Sequence, residues 1–409
     1  MDSADTITIL PADRGRLAAE GGKSLDASLP KGGSLCLATS LEALAGLEAA
    51  WRRLEEKHLK PHQIFQSYDW VRAWAETHIA PGQERELMVV AGHDDGELVF
   101  VWPLVRERQG PFRVLRLLSE SLAQYGDILA IPGRDLEPWI DAAIALLRRE
   151  GGADILRLRH VRDDATAFRH ISRRFRSSRL TERAPFLNLS AFASEAAYED
   201  RYTSTQRRRR KKLRKAITAG LGEIRFETMP QGSARDVAIA EALAEKCRWI
   251  EERGRRSHCL RSPRLHSFLT AYAAKPGGIG RLIVTRLTAG GRDLAWEIGL
   301  RAGQTHFAFI TSHVNALTDY SAPRLHMDAS QRLAIADGMT CFDLLVPFDS
   351  YKESWSSEAV FVRDYHLPLN AAGHLYGLAY LEALRPLLRG IYYRLPPAIL
   401  RLLKPLIGH

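Results

Sequence analysis

The stretch from Asp319 to Trp355 constrains the fold more than any other part of the chain. A turn leads into a helix over residues 321–336 and Gly338 follows it. Residues 340–345 make a short apolar strand, which delivers the polar-aromatic loop Asp349-Ser350-Tyr351-Lys352-Glu353-Ser354-Trp355. A turn that feeds a helix N-terminus presents free backbone N–H groups to an anion. The loop beyond the strand then sets side chains beside that anion. This layout suits a phosphorylated carrier held next to a reacting group.

Upstream, residues 282–287, 294–300 and 305–311 read as a three-strand meander turned at Gly290-Gly291 and Ala302-Gly303. This second half opens near Ala191 with one long helix over 195–219 that stops at Gly220. A strand over 223–228 and helices over 234–252 and 263–274 follow, and 360–367 is its last strand. The first half runs in a similar order. It has a helix over 41–58 led by Ser40, a second helix capped by Ser67, strands over 87–91 and 97–108, a helix over 136–149, and strands over 154–159 and 186–189. No sequence repeat is present. The shared order, in a chain of 409 residues, predicts two α+β domains of one architecture, each a mainly antiparallel sheet flanked by helices. The expected boundaries are 34–190 and 191–370. Residues 1–33, polar and Gly-rich, are expected to be poorly ordered, and 371–409 form a separate tail.

A net charge of +10 favours an acidic partner, and its excess sits in two places. Residues 207–215 hold eight cations in nine positions, so a helix there is basic on every face. Such a run fits nucleic-acid phosphates, a nucleotide second messenger, anionic lipid or a cofactor phosphate. No aromatic interleaving or nucleic-acid module accompanies it, so a solvated face used in part at a cofactor phosphate is preferred and nucleic acid is not expected. In the tail, Arg385, Arg389, Arg394, Arg401 and Lys404 alternate with leucine, isoleucine and tyrosine, cut by prolines. A segment of that kind either lies in a membrane interface or docks on the protein's own core. The four cysteines have neither metal nor redox spacing, and no metal is expected. With no N-terminal signal and no run of ~18 apolar residues, the expectation is a cytoplasmic protein, with peripheral attachment to the inner membrane as the second reading.

Catalytic candidates follow from local context. Glu297 sits among apolar neighbours in Leu-Ala-Trp-Glu-Ile-Gly-Leu, where a raised pKa would suit a general base toward an amine; the plainer account is a strand residue facing water. His313, Asp319 and His326 are alternatives. Asp343 in its strand and Asp349 before Tyr351 would orient a catalytic group or cap a turn. Lys352, between Tyr351 and Trp355, would hold an anion or polarise a carbonyl.

The order Phe65-Gln66-Ser67-Tyr68-Asp69-Trp70, Val101-Trp102-Pro103-Leu104 and Tyr125-Gly126-Asp127, followed by the basic helix, Phe342-Asp343 and Tyr351-Lys352 to Trp355, resembles the CelD-like acetyltransferases over roughly residues 35–370. That family was first tied to cellulose biosynthesis and is related to the peptidoglycan-bridge aminoacyl transferases. The resemblance implies two GNAT-like domains in tandem, the second passing an acyl group from acyl-CoA to an amine of a cell-envelope precursor. The acceptor it implies is a sphingoid-type lipid amine, as in bacterial ceramide synthases, or an amino sugar of an envelope polysaccharide. Its pyrophosphate turn would be Tyr320-Ser321-Ala322-Pro323-Arg324, with Ser321, Ala322 and Arg324, and Arg210 and Arg214 of the basic helix, at the cofactor. Glu297, Lys352, Tyr351, Asp343 and His313 would be catalytic. The family has glycine where Pro323 stands and near Pro347, and proline donates no N–H. Those departures leave a second reading, a non-catalytic module that senses a nucleotide such as cyclic di-GMP.

Overall fold

The computed structural model describes residues 8–10, 29–79, 84–254, 257–275, 278–315, 321–384 and 387. The chain divides into two compact units, residues 1–182 with 360–390 and residues 183–359 with 391–409.

The first unit holds β1 (Thr8–Leu10), β2 (Gly33–Ala38), α1 (Leu41–Gly46), α2 (Glu48–His58), α3 (Tyr68–His78), β3 (Arg85–Asp94), β4 (Glu97–Gln109), β5 (Phe112–Leu117), β6 (Leu129–Ala130), α4 (Glu137–Glu150), β7 (Ile155–Arg162), α5 (Phe168–Arg174) and the start of β8 (Arg176–Asn188). Strands β1 to β5 pair in sequence order as antiparallel neighbours; short turns such as Asp94-Asp95-Gly96 reverse the chain between β3 and β4 and between β4 and β5, while α1 to α3 lie between β2 and β3. A parallel pair needs a longer crossover. Helix α4 supplies it, and β5 and β7 run parallel. Trp102, Trp139, Phe100, Leu115 and Ile140 fill the space between sheet and helix.

The second unit continues with α6 (Glu195–Asp200), α7 (Ser204–Leu221), β9 (Ile224–Thr228), α8 (Ser233–Glu252), α9 (His258–Arg261), α10 (Pro263–Ala273), β10 (Gly280–Ala289), β11 (Arg292–Ala302), β12 (Thr305–His313), α11 (Ala322–Ala336), β13 (Cys341–Asp343) and α12 (Ser350–Glu353). Strands β9 to β12 form an antiparallel meander. Helix α11 then crosses over so that β13 lies parallel to β12, and residues 186–188 of β8 close the edge against β13. Both units therefore repeat one plan, an antiparallel meander followed by a helical crossover to a parallel strand. Each takes its closing strand from the chain that follows the other's crossover: β8 pairs with β13, and β14 (Glu358–Pro368) pairs with β7. Helix α13 (Ala371–Leu375) follows in the first unit.

Several expectations change here. The units meet in sequence at 182/183 and 359/360 instead of 190/191 and 370, since β14 pairs with β7 over residues 362–368. The long basic helix is two helices. Thr203 accepts from Gln206 N at 3.2 Å and Gln206 Oε1 accepts from Thr203 N at 2.8 Å, a reciprocal cap that starts a new helix at Ser204. That helix ends at Gly222, whose φ of 106° is open to glycine, and not at Gly220. It is not basic all round, because Ile217 is buried against Leu287 and Leu325. Within the expected disordered N-terminal segment, Thr8–Leu10 pairs with β2; residues 1–7 and 11–28 lie outside the described residues. So does most of the tail, 385–386 and 388–409. No helix among the described residues is long and apolar enough to cross a membrane.

Candidate functional site

The two parallel pairs differ in what lies beyond them. In the second unit β12 and β13 pair only over Thr305–Phe307 and Cys341–Asp343, while β12 runs on to His313. The strands part and leave a gap at their carboxyl ends, beside the N-terminus of α11. In open α/β sheets such a gap is where ligands bind. In the first unit the corresponding gap is occupied by the chain itself. Gly126 bridges Val161 as a parallel partner, and its N–H donates to His160 O at 3.1 Å. A Cβ at Gly126 would stand 2.5 Å from Arg159 O, so only glycine fits. Buried Asp127 anchors this segment by accepting from the backbone N–H groups of Ile128, Thr166 and Ala167 and from Gln63 Nε2. The first unit has a separate cavity of about 360 Å³ near Arg157 and His366, but its charges are largely satisfied internally. Arg157 pairs with Glu120, and both Arg176 and His366 with Glu382.

Two cavities of the second unit, about 460 and 410 Å³, share Ser321, Arg324, Ser354 and Trp355 and meet at the gap. The first is lined by the basic face of α7, through Arg209, Arg210 and Lys212. The second is lined from both faces of the sheet. Side chains alternate along a strand, so the paired residues Trp296 and Ser312 lie on one face and the paired residues Glu297 and Thr311 on the other. Lys246, Trp249 and Arg253 come from α8 and its end, Arg324 and Met327 from α11, and Asp349 and Tyr351 from the loop after β13.

The sequence-derived residues divide accordingly. Ser321, Arg324, His313 and Tyr351 line the cavities. Ser321 takes a left-handed φ of 46° and its carbonyl accepts from Arg324 N at 3.0 Å. Since Pro323 has no N–H, the first turn of α11 is left with Ala322 N–H and with side chains to meet an anion; the Ala322 side chain is buried in the core. Tyr320 and Asp319 lie outside the described residues. Arg210 lines the first cavity but pairs with buried Asp328, which Arg214 also approaches at 3.8 Å, and its guanidinium lies 3.9 Å from the Tyr202 ring centre. Asp328 already meets both arginines, so the cations lining the first cavity without a carboxylate partner among the described residues are Arg209, Lys212 and Arg324.

Glu297, Asp343 and Lys352 stand behind the cavity wall. Glu297 is 1% exposed, which excludes a water-facing strand position. Its Oε1 lies 2.6 Å from His306 Nε2, and Arg301 Nε donates to His306 Nδ1 at 3.2 Å. Arginine only donates, so Nδ1 accepts and Nε2 carries the proton toward Glu297. Arg301 in turn pairs with Asp337 at 2.7 Å. Burial pushes the Glu297 carboxyl up, but His306, with His326 and Ser330 beyond it, pulls it down further. The net direction is below the ordinary carboxylate value, opposite to the raised value expected from its apolar neighbours. Asp343 Oδ1 accepts from Leu345 N at 2.8 Å. Lys352 is buried and donates to Leu345 O at 2.9 Å and Pro347 O at 2.8 Å. It ties down the loop instead of projecting into the cavity, and burial lowers its pKa to about 8. The Tyr351 phenol goes the other way. Burial and the carboxylates of Asp349 and Glu297 raise it to about 12, so it is protonated at neutral pH. His313 stacks edge-on to Trp249 and is lowered by burial and by Lys246.

Sequence reasoning missed His306, Arg301, Asp328, Lys246, Trp249, Trp296 and Ser312. Only the pairing of Glu297 with a histidine nine residues on, across one hairpin, leaves a trace in sequence, the short turn Ala302-Gly303-Gln304 that brings β11 and β12 together.

Residues 203–353 match the model of an acetyltransferase (GNAT) domain. No curated protein matches the chain. Among solved structures, FemX superposes with a TM-score of 0.54 at 13% identity, covering 81% of this chain and 98% of that one. A tandem GNAT protein from the clavulanic acid biosynthesis pathway superposes at 0.46 and 10% identity, covering 82% and 99%. At such identities the FemX likeness is one of fold. The α+β plan and the acetyltransferase domain agree with the expected fold class, and the chain is an N-acyltransferase, a class that takes acyl-CoA and an amine.

Proposed function

We propose that the second unit transfers an acyl group from acyl-CoA to the primary amine of a cell-envelope precursor, a sphingoid-type lipid amine at the membrane surface or an amino sugar of an envelope polysaccharide. The observation that carries this reading is the gap between β12 and β13, lined from both faces and flanked on one side by basic α7. Donor phosphates meet Arg324, Arg209 and Lys212, and the pantetheine arm passes between the parted strands. The acceptor comes from the α8 side.

The amine nitrogen attacks the thioester carbonyl carbon, the C–S bond breaks, and the acyl group ends on nitrogen. The leaving sulfur takes its proton from Tyr351, which lines the cavity and is protonated at neutral pH. The proton lost by the amine passes to Asp349, a carboxylate lining the same cavity, and from there to the Tyr351 phenolate, so both groups end as they began. Glu297 and Lys352 act through others. Glu297 holds the strand pair from beneath, and Lys352 fixes the loop that carries Tyr351.

The test is release of free CoA by the purified full chain, given acyl-CoA of several lengths and a panel of sphingoid bases and amino sugars. Calorimetric titration with acetyl-CoA runs alongside. Turnover with any pair supports the reading. No turnover together with no acyl-CoA binding refutes it, and binding of cyclic di-GMP in its place would favour a sensing role for the same basic face.

A further inference from the structure

On the α8 side of the second cavity two buried donors have no partner. Trp296 and Ser312 are register partners on β11 and β12, 2% and 4% exposed, and both line the cavity. Neither Trp296 Nε1 nor Ser312 Oγ finds a hydrogen bond among the described residues. A buried donor without an acceptor is destabilising, so a pair of them side by side marks a place where a ligand brings acceptor oxygens.

The wall facing them is cationic. Lys246 and Trp249 stand one turn apart on α8, and Arg253 follows one turn later on the same face. Lys246 Nζ lies 5.0 Å and the Arg253 guanidinium 3.8 Å from the Trp249 ring centre. Lys246 has no carboxylate partner among the described residues. Burial, then the neighbouring Arg253, holds its pKa below the usual lysine value. A cation in that position is relieved by an anion. Across the cavity the one lining carboxylate among the described residues is Asp349, which suits an ammonium or amine.

We infer that Lys246, Arg253, Trp296 and Ser312 form an acceptor subsite for an anionic group, and that the acceptor is an amine carrying a phosphate a few bonds from its nitrogen. The inference rests on the acyl-transfer reading of this cavity and narrows its acceptor. An amine without an anionic group leaves both cations without a counter-charge and both donors unmet, whereas a phosphorylated one answers all four.

Calorimetry on the full chain tests this with matched pairs: glucosamine 6-phosphate against glucosamine, and micellar sphinganine 1-phosphate against sphinganine. Acetyl-CoA is titrated separately. The phosphorylated member of one pair is expected to bind at least about tenfold tighter, the size of one charge-assisted hydrogen bond. Which pair responds separates a sugar from a lipid source. Lys246→Met should abolish the preference, Lys246→Arg should restore it, and exposed Arg253→Gln should weaken it in a chain whose fold is not at risk. Acetyl-CoA affinity should stay within about twofold, since donor and acceptor subsites lie on different faces. Equal affinity within both pairs overturns the inference. So does loss of acetyl-CoA binding in the α8 variants, which would assign these cations to the donor. Lys246-dependent binding of a phosphorylated amine by a chain that never binds acetyl-CoA keeps the subsite and sinks the donor assignment.

Discussion

Asp127→Asn probes the difference between the two units. In the first unit the notch between β5 and β7 is closed by Tyr125-Gly126-Asp127, and the Asp127 carboxylate is what pins that segment. Its Oδ1 accepts from Ile128 N at 2.8 Å and Ala167 N at 3.0 Å. Its Oδ2 accepts from Thr166 N and Gln63 Nε2, both at 2.9 Å, and lies 3.2 Å from His62 Nε2. Asparagine has the same shape but only one acceptor oxygen. Whichever way it is placed, its NH₂ group faces at least two donors in a site that is 1% exposed. Two lost bonds to a charged acceptor, plus donors left buried and unpaired, come to about 3–5 kcal/mol. For a unit of this size that lowers its melting temperature by about 6–20 °C. Scanning calorimetry at neutral pH reads the shift, and acetyl-CoA titration of the wild-type chain should give one site per chain. A melting temperature within about 2 °C of wild type, or two acetyl-CoA sites per chain, would refute the argument that this segment closes the first unit.

Other consequences concern the second unit. Tyr351→Phe removes the proton donor and should lower kcat by about 10²–10⁴ with little change in KM for acyl-CoA; steady-state kinetics within a few-fold of wild type would return Tyr351 to a structural role. Arg324→Gln removes a cation where Pro323 already denies an N–H, so the KM for acyl-CoA should rise about tenfold, while glucosamine 6-phosphate binding stays unchanged by calorimetry. Lys352 has a folded pKa of about 8 against an ordinary 10.5, so between those values the unfolded chain holds the proton that the folded chain has lost, and stability rises with pH by up to about 3 kcal/mol. Denaturant titrations from pH 7.5 to 10 should show that rise in wild type and not in Lys352→Met; parallel curves would mean the lysine is not buried as described.

What the chain alone determined was local. The meander of β10 to β12 could be read from apolar runs broken by Gly290-Gly291 and Ala302-Gly303, and α11 from its helical spacing, because hairpin and helix signals act over a few residues. The cap at Thr203 and Gln206 was equally legible and was passed over. The similar order of elements in the two halves gave the plan of two similar units, and the resemblance to the CelD-like acetyltransferases implied that both are GNAT-like. The tertiary structure decided everything that depends on residues far apart in sequence. It gave residues 186–188 of β8 to one unit and β14 to the other, about 150 and about 200 residues from their respective partners, and moved the unit boundaries with them. It filled one of two similar notches with Gly126 and left the other open. It paired Arg210 with Asp328 and turned Lys352 onto two carbonyls, so neither is the free cation that its neighbours in sequence suggest. The physical reason is the same in each case. A charge or an apolar residue carries a propensity wherever it stands, but whether it is spent inside the protein or left for a ligand depends on which partner the fold brings within about 3 Å.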